Sequence, residues 1–490
     1  MGDEYRIEAL GLRKSFGRAT ALLGADFSLR QGEIHALIGA EGAGKSTLIG
    51  ILAGLCAPDG GSLRIDGRAV RLESPADSIR NGISAALGVS GLVPGLSVAE
   101  NIFLGVPRAG GGLLDGRGMR RRAEGLLGEA GFGHIRPDAA AGGLDAASAQ
   151  IVEICRVMAR GSRVLLLDDP AAELSMKEAE RLFGLAKRLR AGGMSIVIAC
   201  GHAADAFAVA DRLTALSGGL SSPPAAVPSA EAVDLAVAAA GGPKALFPPR
   251  RAELGGCVVK AERIGAGGIS FEAREGEILG LTGLAGDGRR EAVDAVFGGP
   301  PSGVGTLSVG GRAARLGSPE GLAGLGVAFL PEEYRRRGPS PAAFGEDGTG
   351  LGRAFLESLA GLGGEFAAIA RRQARLPDRG RQQDADAEAA SRGDRQRAAL
   401  EALNAGGARV VVLDEPTRGL NADARTAIYR IMGDMAEGRR AVIMVSSELG
   451  DVAGLCDRAV VVRDGASVCE LVKDELSEAG ILMRAAGVVT

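Results

Sequence analysis

Residues 39–47, GAEGAGKST, follow the apolar run Ile34–Ile38 and precede a second apolar run, Leu48–Leu52. They fit the pattern GxxxxGK(S/T), which forms the loop that holds nucleotide phosphates between a strand and a helix. Glycine is needed in such a loop because backbone amides must approach phosphate oxygens with no Cβ in the way. We expect Lys45 to reach the β- and γ-phosphates and Ser46 to place its hydroxyl on Mg²⁺. The alternative is a glycine-rich turn without function.

Two carboxylates end another apolar run farther along the chain. VLLLDDP, residues 164–170, is predicted to be a buried parallel strand with Asp168 and Asp169 at its carboxyl end. Folds of the α/β class place ligand chemistry at this end of their strands. A further apolar strand, SIVIACGH, ends at His202. The alternatives are an acid that caps a helix and a structural histidine.

Phe16 lies just upstream of the phosphate loop, in a chain with only 3% aromatic residues. The segment around it alternates short apolar stretches with turn residues, which predicts antiparallel strands that lead into the loop. In this position the ring could stack on an adenine base, or it could be a core phenylalanine.

Length and composition narrow the classes of protein that remain. A chain of 490 residues is too long for one core, and roughly 150 residues per domain predicts about two to four domains. The net charge of −3 favours neither a nucleic-acid footprint nor a polybasic membrane patch. The six cysteines have no metal-type spacing, which favours free thiols in a reducing cytoplasm. We expect neither a secretory signal nor a membrane span, because no apolar stretch reaches the roughly 18 residues that a span needs.

The first half of the chain recurs in the second half. The matching segments are GEIHALIG (32–39) with GEILGLTG (276–283), LLLDDP with VVLDEP at Asp168 and Asp414, and Asp211-Arg212 with Asp457-Arg458. Their offsets are 244, 246 and 246 residues, and a shared register over three widely spaced segments is hard to obtain by chance. We therefore predict two copies of one domain, 1–245 and 246–490. The Pro-, Ala- and Gly-rich residues 218–256 are interpreted as the connection between them.

These features together resemble the ATP-binding subunits of ABC transporters and, more closely, the fused double-domain ATPases of bacterial monosaccharide importers of the ribose, xylose and galactose type. The segments that carry the resemblance are LSVAENIFLG, ALFPPR, GEILGLTGLAGDGRRE, LDEPTRGLNADARTAIY and VSSELGDVAGLCDR. The resemblance spans nearly the whole chain and weakens between about residues 339 and 395. It implies an α/β fold of two tandem P-loop NTPase domains of the ABC type. Each would have a mainly parallel sheet core, an antiparallel β subdomain and a helical subdomain.

The resemblance assigns roles to individual residues of the first domain. Phe16 would stack on adenine, and Asp168 would hold Mg²⁺ through water. Asp169 would polarise the attacking water, and His202 would contact the γ-phosphate. The loop residues assigned to the phosphates and Mg²⁺ are Gly39, Ala40, Glu41, Gly42, Ala43, Gly44, Lys45, Ser46 and Thr47.

In the second domain, Asp414 and Glu415 occupy the corresponding metal and catalytic positions. Domains of this family close head to tail, so that each ATP lies between the loop of one domain and the signature helix of the other. The second signature, SRGDRQ, keeps Ser391 and Gly393, which would complete the site of the first domain. The resemblance thus implies ATP and Mg²⁺ as cofactors.

The first domain departs from the family pattern at three places. The signature LSxGQ appears as LDAAS, with Asp145 for serine and Ala147 for glycine. An aspartate aimed at a γ-phosphate would repel it, where a hydroxyl would donate a hydrogen bond. The glutamine expected before LVPGLSVAEN is Gly88, which removes a contact with Mg²⁺ and water. The catalytic glutamate is Asp169, which is one methylene shorter. We therefore expect slow turnover.

The second domain departs from the pattern in the loop itself. In GLAGDGRRE, Arg289 and Arg290 stand where lysine and serine or threonine are expected. The pair could bind phosphate by charge, or it could occupy the pocket and exclude nucleotide. Ser447 is assigned to the position of the histidine. Because three departures fall together in the site formed by this loop and LDAAS, we predict one competent and one degenerate ATP site.

The resulting prediction is an ATP-binding and ATP-hydrolysing subunit that powers a bacterial ABC importer for monosaccharides. The expected partners are transmembrane permease subunits and, indirectly, a periplasmic-type solute-binding protein, with no nucleic acid. We expect a cytoplasmic protein that is peripheral on the inner face of the cell membrane and bound there only through the permease. The alternatives are an importer ATPase for nucleosides or other small solutes, a weakly hydrolysing regulatory subunit and, disfavoured by the short and weakly charged connection, an ATPase of ribosomal machinery.

Overall fold

In the computed structural model, the described residues are 5–87, 91–105, 115–172, 174–239, 247–248, 254–297, 305–332, 392–420 and 422–488. The chain divides into two units, Met1–Gly242 and Pro243–Thr490. The predicted domain junction at residues 245 and 246 lies outside the described residues.

The first unit contains two sheets. Its strands are β1 (Tyr5–Phe16), β2 (Ala19–Arg30), β3 (Ile34–Ile38), β4 (Gly60–Ile65), β5 (Arg68–Ala69), β6 (Ile83–Ala86), β7 (Val164–Asp168), β8 (Ser195–Cys200), β9 (Arg212–Ser217), β10 (Leu220–Ser221) and β11 (Ala225–Ala226). The larger sheet has the order β10-β9-β3-β8-β7-β6, and its five strands from β9 to β6 are parallel. Every residue of β3 and β8 is buried, as expected when both faces of a parallel sheet are covered.

Helices cover this sheet and form a separate bundle. The helices described in the first unit are α1 (Lys45–Leu52), α2 (Pro75–Arg80), α3 (Val98–Ile102), α4 (Gly116–Ala130), α5 (Ala146–Arg160), α6 (Met176–Ala191), α7 (Ala203–Val209) and α8 (Ala230–Ala239). The smaller sheet, β2-β1-β4-β5, is antiparallel and shares one apolar core with α1 and the larger sheet. This arrangement confirms the predicted parallel core and antiparallel β subdomain.

Helices α3, α4 and α5 contact one another and form the predicted helical subdomain. Ser97 followed three residues later by Glu100 in LSVAENIFL predicts a helix start with Ser97 as N-cap, and the structure confirms it. The Ser97 hydroxyl accepts the N–H of Glu100, and the Glu100 carboxylate accepts the N–H of Ser97. Two side chains join the segment before α3 to the bundle. Asn101 donates to the carbonyl of Val93 (3.0 Å), and Arg156 of α5 donates to the carbonyl of Asn101 (2.8 Å).

The interpretation of residues 218–256 as a connection is wrong for its first half. Strands β10 and β11 both pair with β9, and α8 packs against β9 and β11. The apolar face of α8 buries Ala232, Val233 and Ala236. Alanine-rich sequence can therefore pack closely onto a sheet, and a composition rich in Pro and Ala does not by itself identify a linker.

The second unit repeats this architecture. Its strands are β12 (Cys257–Ile264), β13 (Ile269–Arg274), β14 (Ile278–Gly283), β15 (Thr306–Val309), β16 (Arg312–Ala314), β17 (Val327–Leu330), β18 (Val410–Asp414), β19 (Ala441–Ser446), β20 (Arg458–Arg463) and β21 (Ala466–Val472). They form an antiparallel sheet, β13-β12-β15-β16, and a mainly parallel one, β17-β18-β19-β14-β20-β21. The described helices are α9 (Arg289–Phe297), α10 (Pro319–Gly324), α11 (Arg392–Ala405), α12 (Ala422–Glu437), α13 (Leu449–Leu455) and α14 (Glu478–Ala486).

The register of the repeat is preserved in three dimensions. Helices α6 and α12 have the same length and are offset by 246 residues, and β8 and β19 have the same offset. The predicted α/β fold class of two tandem P-loop domains is thus confirmed. Of the second helical subdomain, only α11 lies among the described residues, because 333–391 are outside them. In the part of the chain that the structure describes, no helix has the length and apolar character that a membrane span requires.

One buried polar cluster distinguishes the two central sheets. In the first unit the His35 ring lies between the Glu33 carboxylate (Nδ1 to Oε1, 2.6 Å) and the Thr214 hydroxyl (Nε2 to Oγ1, 2.9 Å), and Arg212 also contacts Glu33. The second unit keeps the acid and the arginine as Glu277 and Arg458. At the positions of His35 and Thr214 it has the buried apolar residues Leu279 and Val460.

We predict that His35 and Thr214 stabilise the first unit only as a pair. His35→Leu alone removes the ring that the buried Thr214 hydroxyl contacts, and such a loss costs about 1–3 kcal/mol of unfolding free energy. His35→Leu with Thr214→Val copies the second unit and is expected to recover about 1 kcal/mol or more of that loss. Urea unfolding of the full chain measures both differences, and a double variant no more stable than His35→Leu would contradict the prediction.

The same variants test a pH effect. Burial lowers the pKa of His35 below its ordinary value of 6.5, although Glu33 opposes the shift. The unfolded chain therefore binds a proton more readily than the folded one, so stability is lost as pH falls below about 6.5. The double variant is expected to lack this component of the acid sensitivity.

Candidate nucleotide-binding site

The loop between β3 and α1 requires glycine at two positions. Gly39 has φ +155°, and a Cβ there would lie 2.4 Å from the carbonyl oxygen of Leu216. Gly44 caps α1 with φ +106°, and a Cβ there would lie 2.7 Å from the carbonyl oxygen of Ala21. Both distances are far below van der Waals contact, so the backbone of the loop is closely surrounded. The spacing of glycines in GAEGAGKST therefore follows from packing as well as from phosphate binding.

Lys45 is the first residue of α1, and its side chain folds back over the loop. The ammonium donates to the carbonyl oxygens of Gly39 (2.5 Å) and Ala40 (3.0 Å). The first N–H groups of α1, which directly follows the loop, have no acceptor within the helix. A fixed positive charge and free amide donors thus lie together, and this is the environment that a phosphate group needs.

The predicted acidic residues and the histidine lie at the same edge of the sheet as the loop. β3, β8 and β7 are neighbours, and their carboxyl ends lead to Gly39, to His202 and to Asp168 followed by Asp169. The fold therefore brings together residues that are up to 163 positions apart in the sequence. Their individual roles remain predictions.

Asp169 is held by backbone groups in a rare conformation. Its φ is +43°, its N–H donates to the carbonyl of Ala199 (3.1 Å), and its carboxylate accepts the N–H of Gly201 (3.3 Å). Burial raises the pKa of this carboxyl above its ordinary 3.8, and Asp205 adds to the rise, whereas His202 and Lys45 oppose it. The group is thus a stronger base than an exposed aspartate.

Phe16 ends β1 and is not a core residue, because 52% of its surface is exposed. The Lys14 ammonium lies 5.3 Å from the centre of the ring, within the range of a cation–π contact. Of the two alternatives for this residue, the core phenylalanine is wrong. An exposed ring face fits the predicted stacking on a base.

The loop of the second unit carries different side chains on the same backbone plan. Arg289, the first residue of α9, donates to the carbonyl of Gly283 (2.8 Å), which corresponds to the contact of Lys45 with Gly39. Unlike Lys45 it is almost fully buried, and it also contacts Asp287 (3.4 Å) and Glu415 (3.7 Å). Asp287 in turn accepts the backbone N–H of Arg289 (3.0 Å), one of the amides that a phosphate would use.

Arg290 follows Arg289 and is also buried. Its guanidinium lies 3.0 Å from the Asp414 carboxylate, 3.7 Å from Glu332 and 3.3 Å from Asp294. Both arginines of the loop are thus engaged by carboxylates of their own unit.

The comparisons with known proteins agree with this architecture. Residues 22–172 match the ABC transporter family. The chain is 36% identical to a ribose import ATP-binding protein of Rhodococcus jostii, over 98% of this chain and 97% of that protein. It is 35% identical to a ribose import ATP-binding protein of Streptomyces coelicolor, over 97% and 93% of the two chains. A putative ribose/galactose/methyl galactoside import ATP-binding protein of Agrobacterium fabrum is 34% identical, over 97% of both chains.

The chain belongs to the ABC transporter ATPases. It has the fused, two-domain form predicted from its internal repeat, and it is an ATP-binding protein with ATPase activity. The position of the phosphate loop, at residues 39–47, falls inside the matched segment.

One assignment in this ATPase needs correction. The repeat offset of 246 residues places Ser447 at the position of Gly201, and Glu448 at the position of His202. Both His202 and Glu448 are N-caps of the following helix, α7 and α13. The backbone N–H of Gly201 contacts Asp169, and that of Ser447 contacts Glu415 (2.9 Å). Ser447 therefore does not occupy the position of His202, because the histidine comes one residue later in the register.

The signature segments are only partly described. Asp145 is the N-cap of α5, and its carboxylate accepts the N–H of Ser148 (2.7 Å). The Asp145 carboxylate thus occupies one of the backbone N–H groups at the N-terminus of α5, a group that could otherwise donate to a phosphate. Gly393 lies in the first turn of α11, whereas Ser391 and Gly88 lie outside the described residues.

The residues present fit Mg²⁺ in the first unit and not in the second. Ser46 is the second residue of α1, and Asp168 ends β7, which α1 contacts, so a hydroxyl and a carboxylate oxygen are available. Mg²⁺ usually adds phosphate oxygens and water to one or two such protein ligands. The second unit has the Arg290 guanidinium beside Asp414 instead. Among the described residues, no group of three or more His, Cys, Asp or Glu side chains is placed to hold a metal ion.

Three participants were missed by sequence reasoning. Gly201 and Asp205 act on Asp169 through an amide and a charge, and Glu332 contacts Arg290. A glycine amide leaves no signal in a sequence. The position of Glu332 could have been found, because it lies 244 residues after Gly88, the position assigned to glutamine in the family.

We predict that acidification reduces ATP hydrolysis at a higher pH than an ordinary aspartate would. In its predicted role the Asp169 carboxylate would have to be ionised to polarise water, and burial raises its pKa. Asp169→Asn is expected to lower the hydrolysis rate by about 10²-fold or more, the scale of general-base catalysis. Steady-state ATPase assays across pH check both statements.

The raised pKa of Asp169 also predicts how Asp169→Asn changes the free energy of unfolding. A raised folded-state pKa means that ionisation opposes folding at neutral pH, so the variant is expected to be more stable than the wild type at pH 7. This gain should shrink as pH falls through the raised pKa, because the wild-type carboxyl then also becomes neutral. A stability difference independent of pH, measured by urea unfolding, would contradict the assignment.

Proposed function

We propose that this ABC ATPase powers a bacterial importer for monosaccharides, with one ATP site that functions normally and one that does not. The names of the three relatives support sugar import, since they are ribose or ribose/galactose/methyl galactoside import ATP-binding proteins. The observation that carries the two unequal sites is the contrast between Lys45, which is half-buried and contacts only backbone carbonyls in the hydrogen bonds given above, and Arg289, which is buried among carboxylates.

In the proposed competent site, the loop 39–47 binds the triphosphate of ATP and Phe16 stacks on the base. Ser46 and Asp168 hold Mg²⁺, which neutralises phosphate charge when it is bound. Asp169 orients and deprotonates the attacking water, and Gly201 fixes the direction of that carboxylate. His202, at the N-terminus of α7, contributes a polar group toward the γ-phosphate.

Asp169 is expected to make this site slow. A carboxylate on aspartate lies about 1.5 Å farther from the substrate than one on glutamate, and a misplacement near 1 Å can cost about 10²-fold in rate. In the second unit the corresponding acid is the longer glutamate, Glu415. Its carboxylate accepts the N–H (2.9 Å) and the hydroxyl (3.0 Å) of Ser447, and these bonds hold it at the carboxyl edge of its own sheet.

The proposed degenerate site excludes ATP by charge and by volume. The carboxylates within 4 Å of the Arg289 and Arg290 guanidinium groups are those of Asp287, Asp294, Glu332, Asp414 and Glu415. Among the described residues, four of these acids, Asp287, Glu332, Asp414 and Glu415, are buried, and a triphosphate would add more negative charge beside them. Of the two alternatives for the arginine pair, we therefore favour exclusion of nucleotide.

The proposal extends to the partners of the subunit. Transmembrane permease subunits would receive the motion of the two domains, and a periplasmic-type protein would deliver the sugar to them. The chain would act on the cytoplasmic side of the membrane.

We predict that the chain binds one Mg·ATP. Lys45→Ala is expected to weaken ATP binding by at least 10²-fold, because it removes the ammonium group that lies against the carbonyls of the first loop. Arg289→Lys is the matched control in the second loop and should leave one ATP per chain. Calorimetric titration with ATP and Mg²⁺ measures the stoichiometry, and two ATP per wild-type chain would overturn the proposal of unequal sites.

A weakly hydrolysing regulatory subunit is the second candidate, and Asp169 is the observation that favours it. Asp169→Glu separates the two functions. In a slowed motor the longer carboxylate is expected to raise the ATPase rate by about tenfold or more, and sugar uptake with it. Asp168→Glu, a change of the same size at the metal position, should not accelerate hydrolysis. An unchanged rate in Asp169→Glu would favour the regulatory role.

A further inference from the structure

We infer that Arg290 replaces the magnesium ion of the second unit: its guanidinium is a covalently attached cation that occupies the metal position. This inference deepens the proposed function and rests on its assignment of the second site as one that does not bind ATP. It concerns what neutralises the acids of that site in place of Mg·ATP.

The register of the repeat places Arg290 and Asp414 at the positions of the predicted magnesium ligands of the first unit. Arg290 is the second residue of α9, as Ser46 is the second residue of α1. Asp414 ends β18, as Asp168 ends β7. The two units therefore differ at this point by the exchange of a metal-binding hydroxyl for a cation.

Glu332 adds a second acid at the same place. It follows β17 at an offset of 244 residues from Gly88, the position that the family resemblance assigns to a magnesium contact. The Glu332 and Asp414 side chains are 0% and 3% exposed, and both lie against the same guanidinium nitrogen, at 3.7 and 3.0 Å. The acids that would surround a metal thus surround an arginine.

Electrostatics explains why the cation must be present permanently. Two buried carboxylates that share one site repel each other, and removing their cation leaves an uncompensated buried charge. A guanidinium stays protonated at every physiological pH and donates up to five hydrogen bonds, so it can serve both acids. Because it is attached to the chain, it needs neither nucleotide nor free metal to remain in place.

The same geometry prevents Mg²⁺ from binding there. Mg²⁺ needs oxygen ligands at about 2.0–2.1 Å in an octahedral arrangement. A guanidinium nitrogen 3.0 Å from the Asp414 oxygen fills the space that the ion would take. The acidic edge of the second unit is therefore ordered without Mg²⁺, whereas that of the first unit acquires its cation together with ATP.

Arg290→Ser in the full chain tests the inference, with Mn²⁺ alone as the probe. The variant copies Ser46 and leaves Asp414 and Glu332 facing each other. It is expected to unfold at a lower temperature than the wild type in EDTA, and millimolar Mn²⁺ should recover at least half of that loss. Bound Mn²⁺, counted by electron paramagnetic resonance, should increase at least tenfold over the wild type. Arg290→Ser with Asp414→Asn should lose both responses, and Arg290→Lys should not acquire them.

The reciprocal variant decides the question if Arg290→Ser does not fold. Ser46→Arg places the same guanidinium beside Asp168, and it is expected to weaken Mg·ATP binding to the first unit by at least 10²-fold. Ser46→Ala, which removes only the hydroxyl, should have a smaller effect. Normal Mg·ATP affinity in Ser46→Arg, or a stability of Arg290→Ser that does not respond to Mn²⁺, would overturn the inference.

Failure of this inference can be told from failure of the proposed function. Two ATP bound per wild-type chain would contradict the unequal sites, whatever the metal response of the variants. One ATP per wild-type chain with equal Mn²⁺ binding to the wild type, Arg290→Ser and the double variant would leave the proposed function intact and reject the role of Arg290.

Discussion

Ionised carboxylates at the carboxyl edge of a parallel sheet, half-buried in the first unit and buried in the second, require a nearby positive charge, and both units of this ATPase are built around that requirement. The first unit presents Asp168 and Asp169 beside a loop with a single lysine. The second presents Asp414 and Glu415 beside a loop with two buried arginines. Because charge in a poorly solvated place must be compensated, the source of the cation decides what each edge can do. Under the proposed function, the edge beside Lys45 takes its further positive charge from Mg²⁺, whereas the edge beside Arg289 and Arg290 takes it from the chain itself.

Because the two units share one backbone plan, the contacts of corresponding residues can be compared directly. The same carbonyl position, Gly39 or Gly283, accepts a hydrogen bond from the first side chain of the following helix in each unit. The same amide position, Gly201 or Ser447, donates to the acid that would act on water. On this shared backbone, Asp287 stands at the position of Ala43, and Arg290 stands at the position of Ser46. The chain itself thus supplies an anion where phosphate would lie and a cation where the metal would lie.

Much of this was predictable from the residues in order. The phosphate loop, the carboxylates after an apolar strand, the capping box at Ser97 and the duplication were all read from local patterns, since each depends on residues close in sequence. The interpretations that failed depended on distant partners. The interpretation of residues 218–256 as a connection fails in its first half because composition does not reveal that β10 and β11 pair with β9. The assignment of Ser447 to the position of the histidine fails because the register of β8 and β19 pairs Ser447 with Gly201.

The sequence by itself determined the family, the tandem fold and which loop has a normal lysine, because these follow from motif spacing and from the repeat. Only the tertiary structure decided the state of the arginine loop. A pair of adjacent arginines is compatible with binding phosphate and with excluding it, and the choice depends on which groups meet the guanidinium. Those groups, Asp414 and Glu332, come from strand ends 124 and 42 residues away and are aligned only by the sheet. Burial then makes the contacts persistent, since a buried ion pair cannot be exchanged for water without a large cost.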